Sequence, residues 1–167
     1  YSSAASDVYK RQQHHGGNDK AIYAYAREEL DYWQSELSRP LASGCFGENL
    51  TTQGVDLSAL LINQRLRIGT AVLEVSVPRQ PCSTFAGWLG ERGWLKRWTA
   101  RGDCGTYLRI ISPGRIQPGD CITMDAPPNH DITMRIAFAA KMGNRTLAQR
   151  VIEAGCLPPH QNNSLRA

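Results

Sequence analysis

The chain has 167 residues, of which 41% are hydrophobic and 20% charged, and its formal net charge is +4. This length and composition indicate one globular domain with room for a small appendage, and they argue against a disordered chain. No apolar run approaches the roughly 18 residues that a membrane span needs, and so mild a charge suits an anionic small molecule as well as nucleic acid.

The first dozen residues stand apart from the rest. Residues 1–12 have no apolar periodicity, and their SDVYKRQ segment looks like a translated sequencing-library adaptor. We expect them to be a non-native peptide that stands where opening strands would otherwise lie.

The first predicted elements are a short strand and a helix. AIYAY is rich in residues that favour a pleated surface, so it predicts a strand. Leu30, Trp33 and Leu37 recur at spacings of three and four, which indicates an amphipathic helix over about 27–38.

A glycine-punctuated turn and a hairpin follow. GCFGENLTT, residues 44–52, is typical of a turn that runs into a strand. The alternating runs QRLRI and TAVLEVSV, joined at Gly69, predict a hairpin over 64–77. Pro78 ends its second strand because proline cannot donate to the ladder.

The second half combines helical pieces with strands. Residues 83–100 predict two short helices broken near Gly90 and Gly93, and GTYLRIIS and CITM predict two strands. Helices are expected over about 132–142 and 145–154. The predicted class is mainly β with α: a small barrel with helical crossings over 13–126, incomplete at its N-terminus, and a helical extension over 127–167.

Cys82 is the sharpest candidate for chemistry. In SVPRQPC, two prolines stiffen its approach and the strand ends just before it, so its thiol is expected at a barrel mouth. Arg79 is near in sequence and could favour the thiolate, which would serve as a nucleophile or a soft-metal ligand. An ordinary half-buried cysteine remains the alternative.

The other four cysteines have more ordinary surroundings. Cys121 alternates with apolar residues and is predicted to lie in the core, while Cys156 is near a helix end. Cys45 and Cys104 sit in glycine-flanked turns. Five widely spaced cysteines without a C-x-x-C pair argue against a disulfide framework and for a reducing, cytoplasmic setting.

Two polar turns and one arginine could bind an anion. Residues 14–17 (HHGG) precede Lys20, and Gly47-Glu48-Asn49 precedes Thr51; both supply donors suited to phosphate, and both are compatible with ordinary loops. Arg109 interrupts an apolar strand, where it either reaches solvent or meets an anion in the barrel, and we favour the anion.

Four ordered segments resemble the MOSC domain, the domain found at the C-terminus of molybdenum cofactor sulfurase. They are HHGGNDKAIYAYAREELDYW, FGENLTT, RLRIGTAVLEVSVPRQPC and GTYLRI. Their order and spacing look like the stand-alone, YiiM-like bacterial branch, and the helical tail resembles the small three-helix extension of that branch.

The resemblance implies a β-barrel that binds the molybdenum–pterin cofactor (Mo-molybdopterin). Cys82 matches the cysteine that holds the metal in the P-R-x-P-C segment. The residues expected to bind the rest of the cofactor are His15, Gly16, Gly17, Lys20, Asn49, Thr51, Arg79, Tyr107 and Arg109.

The resemblance further implies an enzyme that reduces N-hydroxylated compounds, such as 6-hydroxylaminopurine, to amines. Electrons would come from a separate reductase, because the sequence has no flavin, haem or iron–sulfur motif of its own. No membrane and no nucleic-acid polymer is expected as a partner. Two alternatives remain. The first is a sulfur carrier with a persulfide on Cys82, or a cofactor-handling module without redox turnover. The second is a simple anion-binding domain.

Overall fold

The computed structural model describes residues 17–167. Within them the chain forms six strands, six α-helices and two 3-10 helices, Asn18–Lys20 and Leu57–Ala59. The strands are β1 (Ile22–Ala26), β2 (Leu50–Thr52), β3 (Arg65–Ile68), β4 (Ala71–Val75), β5 (Thr106–Ser112) and β6 (Ile122–Met124). The helices are α1 (Arg27–Leu37), α2 (Ser83–Leu89), α3 (Trp94–Arg101), α4 (Met134–Lys141), α5 (Arg145–Ala154) and α6 (Pro159–Asn163).

All six described strands belong to one mixed sheet. Their order is β2-β1-β5-β4-β3-β6, in which only the β1–β2 pair is parallel. The sheet curves into a half-barrel whose edges, among the described strands, are β2 and β6. The predicted class of a barrel-type sheet with helical crossings is thereby confirmed, in the form of an open half-barrel.

The hairpin shows how the sequence pattern sets the core face. β3 and β4 pair antiparallel with Ile68 opposite Ala71, so Gly69 lies in the tight connection as predicted. Alternate residues of β4 are buried, including Leu73 and Val75, and Val77 continues this face beyond the strand. The period-2 alternation expected of a half-buried strand is therefore present.

The helices begin and end close to the predicted residues. α1 buries Leu30 and Trp33 and ends where Ser38 adopts a left-handed conformation, with φ of 50°. α2 and α3 are separated at Gly90 and Gly93, as the sequence indicates. None of the helices within residues 17–167 has the length and apolar character required to cross a bilayer.

Aromatic side chains form the centre of the core. Rings from α1, α2, α3 and the loop before β2 meet at centroid distances of 4.6 to 5.7 Å, mostly edge to face. The buried rings are Tyr25, Trp33, Phe46, Phe85, Trp94, Trp98 and Phe138. Because Phe138 belongs to α4, the helical tail shares this core with the sheet.

The cysteines differ from the prediction at one position. Cys104 and Cys156 are buried and Cys45 is half-buried, whereas Cys121 is exposed. The expectation of a core position for Cys121 is wrong because β6, which follows it directly, is a three-residue edge strand that pairs only with β3. Apolar alternation alone does not distinguish such an edge from the centre of a sheet.

Gly105→Ala is expected to destabilise the protein strongly. Gly105 has φ of +67°, and a Cβ there would lie 2.4 Å from the Ala24 carbonyl oxygen and 2.8 Å from the Tyr25 ring. We expect a loss of about 1–2 kcal/mol for the left-handed conformation and about 1–3 kcal/mol for the clash. Urea denaturation measures the loss.

Gly119→Ala is the matched control. Gly119 also has a positive φ, +91°, but a Cβ there meets nothing within 4 Å. The free energy of unfolding of Gly119→Ala should therefore fall only by the conformational contribution of about 1–2 kcal/mol. An equal loss in the two variants would show that the close approach of β1 to Gly105 contributes nothing.

Candidate functional site

Cys82 is presented to solvent at the start of α2. It is exposed, and as the N-cap residue its Sγ accepts a hydrogen bond from the Phe85 N–H at 3.4 Å. The chain reaches it from β4 through Pro78, which is buried, and Pro81, which is half-buried, so the approach is fixed on both sides of Arg79. An exposed cysteine at a helix N-cap is accessible to a reagent or to a soft metal.

Arg79 lies beneath this turn. Its guanidinium carbon is 4.2 Å from the centroid of Phe85 and 4.7 Å from that of Tyr23, and Nη1 donates to the Phe46 carbonyl oxygen at 2.5 Å. No carboxylate of residues 17–167 is within ion-pair distance of it. The cation is therefore held by ring faces and a carbonyl dipole.

The electrostatics of Arg79 include Cys82. Burial opposes its charge, but the ionisable side chains of Tyr23, Tyr107 and Cys82 favour it, and the pKa of Arg79 is raised above its ordinary value. Arg79 is half-buried among aromatic rings and does not lie at an open mouth.

The loop that provides the Phe46 carbonyl is organised by Glu48, which sequence reasoning treated only as part of a polar turn. Glu48 is buried, and its carboxylate accepts hydrogen bonds from Gly44 N at 2.6 Å, Phe46 N at 3.0 Å and Thr51 Oγ1 at 3.1 Å. A charged residue inside a glycine-flanked aromatic turn is the signal that could have identified it, since buried carboxylates need several donors.

Lys20 and Tyr107 approach the same group of residues. Lys20 Nζ is 5.6 Å from the centroid of Tyr107, whose ring is 5.2 Å from that of Tyr23. Burial raises the pKa of Tyr107, Arg79 lowers it, and negative charge on Cys82 raises it again, so these groups are within electrostatic reach of one another. We call Lys20, Arg79, Cys82 and Tyr107 the Cys82 site.

Arg109 has partners within the protein. It forms ion pairs with Asp19 at 3.0 Å and Glu74 at 2.5 Å, and Nη1 also donates to Asn63 Oδ1 at 3.2 Å. Two carboxylates therefore already compensate its charge. In this structure Arg109 holds the Asn18–Lys20 turn against β5, and it does not offer an open guanidinium to an external anion.

Of the remaining predicted binding residues, some form hydrogen bonds within the protein and others lie outside the described residues. Asn49 exchanges two hydrogen bonds with Tyr23, each of 2.8 Å, and Thr51 donates to Glu48. Gly17 is exposed and has φ of 72°. His14, His15 and Gly16 lie outside the described residues, as does the predicted adaptor peptide.

The family comparison gives the class of protein. Residues 11–123 match the family model described as "MOSC domain". The chain belongs to the MOSC domain family, a family associated with molybdenum cofactor binding.

Curated relatives place it in the YiiM-like branch. The chain is 40% identical over 146 residues to "Uncharacterized protein YflK" of Bacillus subtilis, which covers 86% of this chain and 66% of YflK. It is 30% identical over 113 residues to "Protein YiiM" of Escherichia coli, covering 66% of this chain and 50% of YiiM. The chain thus spans about half to two thirds of the length of these relatives.

A third relative and two solved structures are also similar to this chain. A protein named "Reductase" from Gibberella moniliformis is 31% identical over 115 residues, 66% of this chain and 20% of that protein. The structure of YiiM from Geobacillus stearothermophilus matches with a TM-score of 0.80 and 28% identity, covering 90% of this chain and 79% of that one. E. coli YiiM matches in fold with a TM-score of 0.78, 24% identity and coverages of 92% and 79%.

Replacing Arg79 should make Cys82 less reactive. In Arg79→Met, which keeps an apolar stem but removes the cation beside Cys82, we expect alkylation of Cys82 by iodoacetamide at neutral pH to slow about tenfold. Arg79→Lys should retain most of the rate because it keeps the charge. Peptide mass spectrometry follows the modification of each cysteine.

Cys121 is an internal control in the same molecule, because it too is exposed but lies outside the Cys82 site. Its alkylation rate should be the same in all variants. If Cys82 and Cys121 slowed together, or if Cys82 reacted at an unchanged rate in folded Arg79→Met, the electrostatic role of Arg79 would be wrong.

Proposed function

We propose that this chain binds the molybdenum cofactor through Cys82 and reduces N-hydroxylated compounds to amines. The observation that carries the proposal is the pairing of an exposed thiol with a half-buried arginine that has no carboxylate partner among residues 17–167. A thiolate is the ligand type that soft metals prefer, and the exposed Cys82 is accessible to such a metal.

The chemistry of the donors fits the cofactor. Cys82 supplies one soft sulfur ligand, which suits a metal whose other sulfur ligands come from its own organic part. Lys20 supplies an exposed cation for a phosphate, and Gly17 begins the turn that carries it. We propose that His15 and Gly16, which precede this turn in the sequence, also bind the cofactor through backbone and ring N–H groups.

Each residue of the Cys82 site then has a distinct task. Cys82 would hold the metal, and Arg79 would stabilise the sulfur's negative charge without touching the substrate. Because its pKa is raised, Tyr107 keeps its proton at neutral pH and can donate a hydrogen bond from Oη. Arg109, Asn49 and Thr51 would act indirectly, by fixing the Asn18–Lys20 turn and the start of β2.

When bound, the cofactor supplies a two-electron redox centre that can remove the oxygen of an N-hydroxyl group. The balanced reaction converts R–NHOH, two electrons and two protons into R–NH2 and water. We propose that the electrons come from a separate reductase. A protein named "Reductase" among the relatives supports redox chemistry of this general kind.

Sulfur carriage is the second candidate. An exposed cysteine whose sulfur accepts a backbone N–H is equally able to hold a persulfide, and carriage requires no electron donor. A cofactor-handling module without turnover, or a plain anion-binding domain, would also use the cationic surface around Lys20. Metal retention and turnover separate these functions.

Cys82→Ser should abolish molybdenum retention, whereas Cys121→Ser should leave it intact. Both cysteines are exposed, so each variant removes an exposed thiol, but only Cys82 caps a helix beside Arg79. The test is elemental analysis of protein purified from a host that makes the cofactor. Equal molybdenum in Cys82→Ser and the parent would remove Cys82 as the ligand.

Cofactor-loaded protein should convert 6-hydroxylaminopurine to its amine over many turnovers when reduced viologen supplies electrons. Chromatography measures the amine, and mass spectrometry of the Cys82 peptide measures bound sulfur. Cys82→Ser should make no product, and Cys121→Ser should turn over normally. Loaded protein that carries a persulfide and never forms an amine would replace the reductase proposal by the sulfur carrier.

A further inference from the structure

Trp88 is the most exposed large apolar side chain within residues 17–167. Trp88 is 60% exposed, Met124 50% and Ile111 38%. Met124 belongs to the edge strand β6, and Ile111 lies in the part of β5 that extends beyond β1, so the open half-barrel accounts for both. Trp88 instead belongs to helix α2. Because tryptophan is on average a highly buried residue, this exposed indole ring calls for a separate reason.

Trp88 lies on the helix that begins at Cys82. α2 has seven residues and Cys82 is its N-cap, so Phe85 and Trp88 follow the thiol at intervals of three residues, which are neighbours on a helix surface. A rise of 1.5 Å per residue places the Trp88 Cα about 9 Å along the axis from that of Cys82. Helical side chains lean toward the N-terminus, which brings the indole ring back toward the thiol.

The indole ring also approaches the loop that holds Arg79. A Cβ on Gly47 would lie 3.8 Å from Cζ3 of Trp88, an ordinary van der Waals contact. Gly47 directly follows Phe46, whose carbonyl oxygen accepts a hydrogen bond from Arg79. Trp88 is therefore linked to the Cys82 site in two independent ways, through its own helix and through this loop.

The backbone that carries Trp88 is fixed on its C-terminal side. Gly90 N donates to the Ala86 carbonyl oxygen at 3.0 Å, which closes the last turn of α2. Arg39 Nη2 donates to the Leu89 carbonyl oxygen at 2.7 Å, and the same guanidinium pairs with Glu91 at 3.6 Å. An exposed aromatic ring on a fixed backbone binds a flat ligand at a lower entropic cost than a ring on a mobile loop.

We propose that Trp88 binds the flat ring of the substrate, which stacks on the exposed indole while its N-hydroxyl group lies on the Cys82 side. The assignment rests on the proposed function and narrows the substrate class to planar heteroaromatic N-hydroxylated compounds. Every base offers a π-face to an aromatic side chain, so this contact tolerates different bases. A puckered, saturated ring has no such face, and Trp88 would therefore discriminate against it.

Binding is tested without turnover by titrating adenine into the whole chain. Trp33, Trp94 and Trp98 are buried, so a quencher in solution reaches the fluorescence of Trp88. Adenine should quench it saturably in the millimolar range, and cyclohexylamine should not. Saturation-transfer NMR of adenine then compares the variants. Trp88→Leu should lose about tenfold in affinity, and Trp88→Tyr should retain most of it because it keeps an aromatic face. Met124→Ala, which removes another exposed apolar side chain, should bind as the parent does.

Steady-state kinetics of the cofactor-loaded protein give a second readout. In Trp88→Leu, KM for 6-hydroxylaminopurine should rise about tenfold while kcat stays close to the parent value, because the lost contact binds the ring and does not touch the reacting group. KM for N-cyclohexylhydroxylamine, which has a saturated ring, should be the same in the two proteins. A purely structural role of Trp88 would change both substrates together.

Three results would overturn the assignment of Trp88. They are no saturable quenching by adenine at millimolar concentrations, equal affinity of adenine for the parent and folded Trp88→Leu, and an equal rise in KM for the flat and the saturated substrate. Saturable stacking of adenine on Trp88 without any turnover would support this assignment and reject the reductase. Turnover that is indifferent to Trp88→Leu would do the reverse, so the two failures are distinguishable.

Discussion

The half-buried positive charge of Arg79 is the constraint that links the aromatic core to the candidate site. Leaving a guanidinium half-buried without a carboxylate is costly, since an uncompensated charge away from water loses several kcal/mol of solvation. Ring faces on two sides and the Phe46 carbonyl offset that loss, each cation–π contact contributing about 0.5–2 kcal/mol. Phe85 joins the aromatic core directly to this charge.

This arrangement connects core packing to the chemistry of a surface thiol. Phe85 provides both a face for Arg79 and the N–H that reaches Cys82 Sγ, so a single buried ring fixes two contacts of the site. Glu48 acts one step further away, because it holds the backbone of Phe46, whose carbonyl accepts from Arg79. The placement of Cys82 and Arg79 therefore depends on the buried residues Phe46, Glu48 and Phe85.

Local sequence patterns predicted the elements well, and they predicted the side-chain partners poorly. The hairpin across Gly69 and the break between α2 and α3 depend on neighbouring residues, and both are present where expected. The exposure of Cys82 follows from the end of β4, which Pro78 marks locally. By contrast, Arg79 meets a carbonyl 33 residues away, a distance in sequence that no local pattern encodes.

The same reasoning explains Arg109. A cation interrupting an apolar strand signals an anion nearby, and this part of the inference agrees with its ion pairs. The identity of the anion could not be predicted, because Asp19 is 90 residues away and Glu74 is 35 residues away. The predicted core position of Cys121 was wrong for a related reason. Whether a strand lies at an edge is a property of the whole sheet, and no local pattern gives it.

Asn63 extends this network into the helical tail. It has a left-handed backbone, with φ of 69°, which costs free energy for a residue other than glycine and requires compensation from its surroundings. Its Oδ1 accepts from Arg109 and its Nδ2 donates to the Cys156 carbonyl oxygen at 2.9 Å, just beyond α5. Because Arg109 also binds Asp19, the tail, the central strand β5 and the turn bearing Lys20 share one continuous set of polar contacts. A change in how α5 packs would thus reach Lys20 through three side chains, and the tail is part of the structure that positions the candidate site.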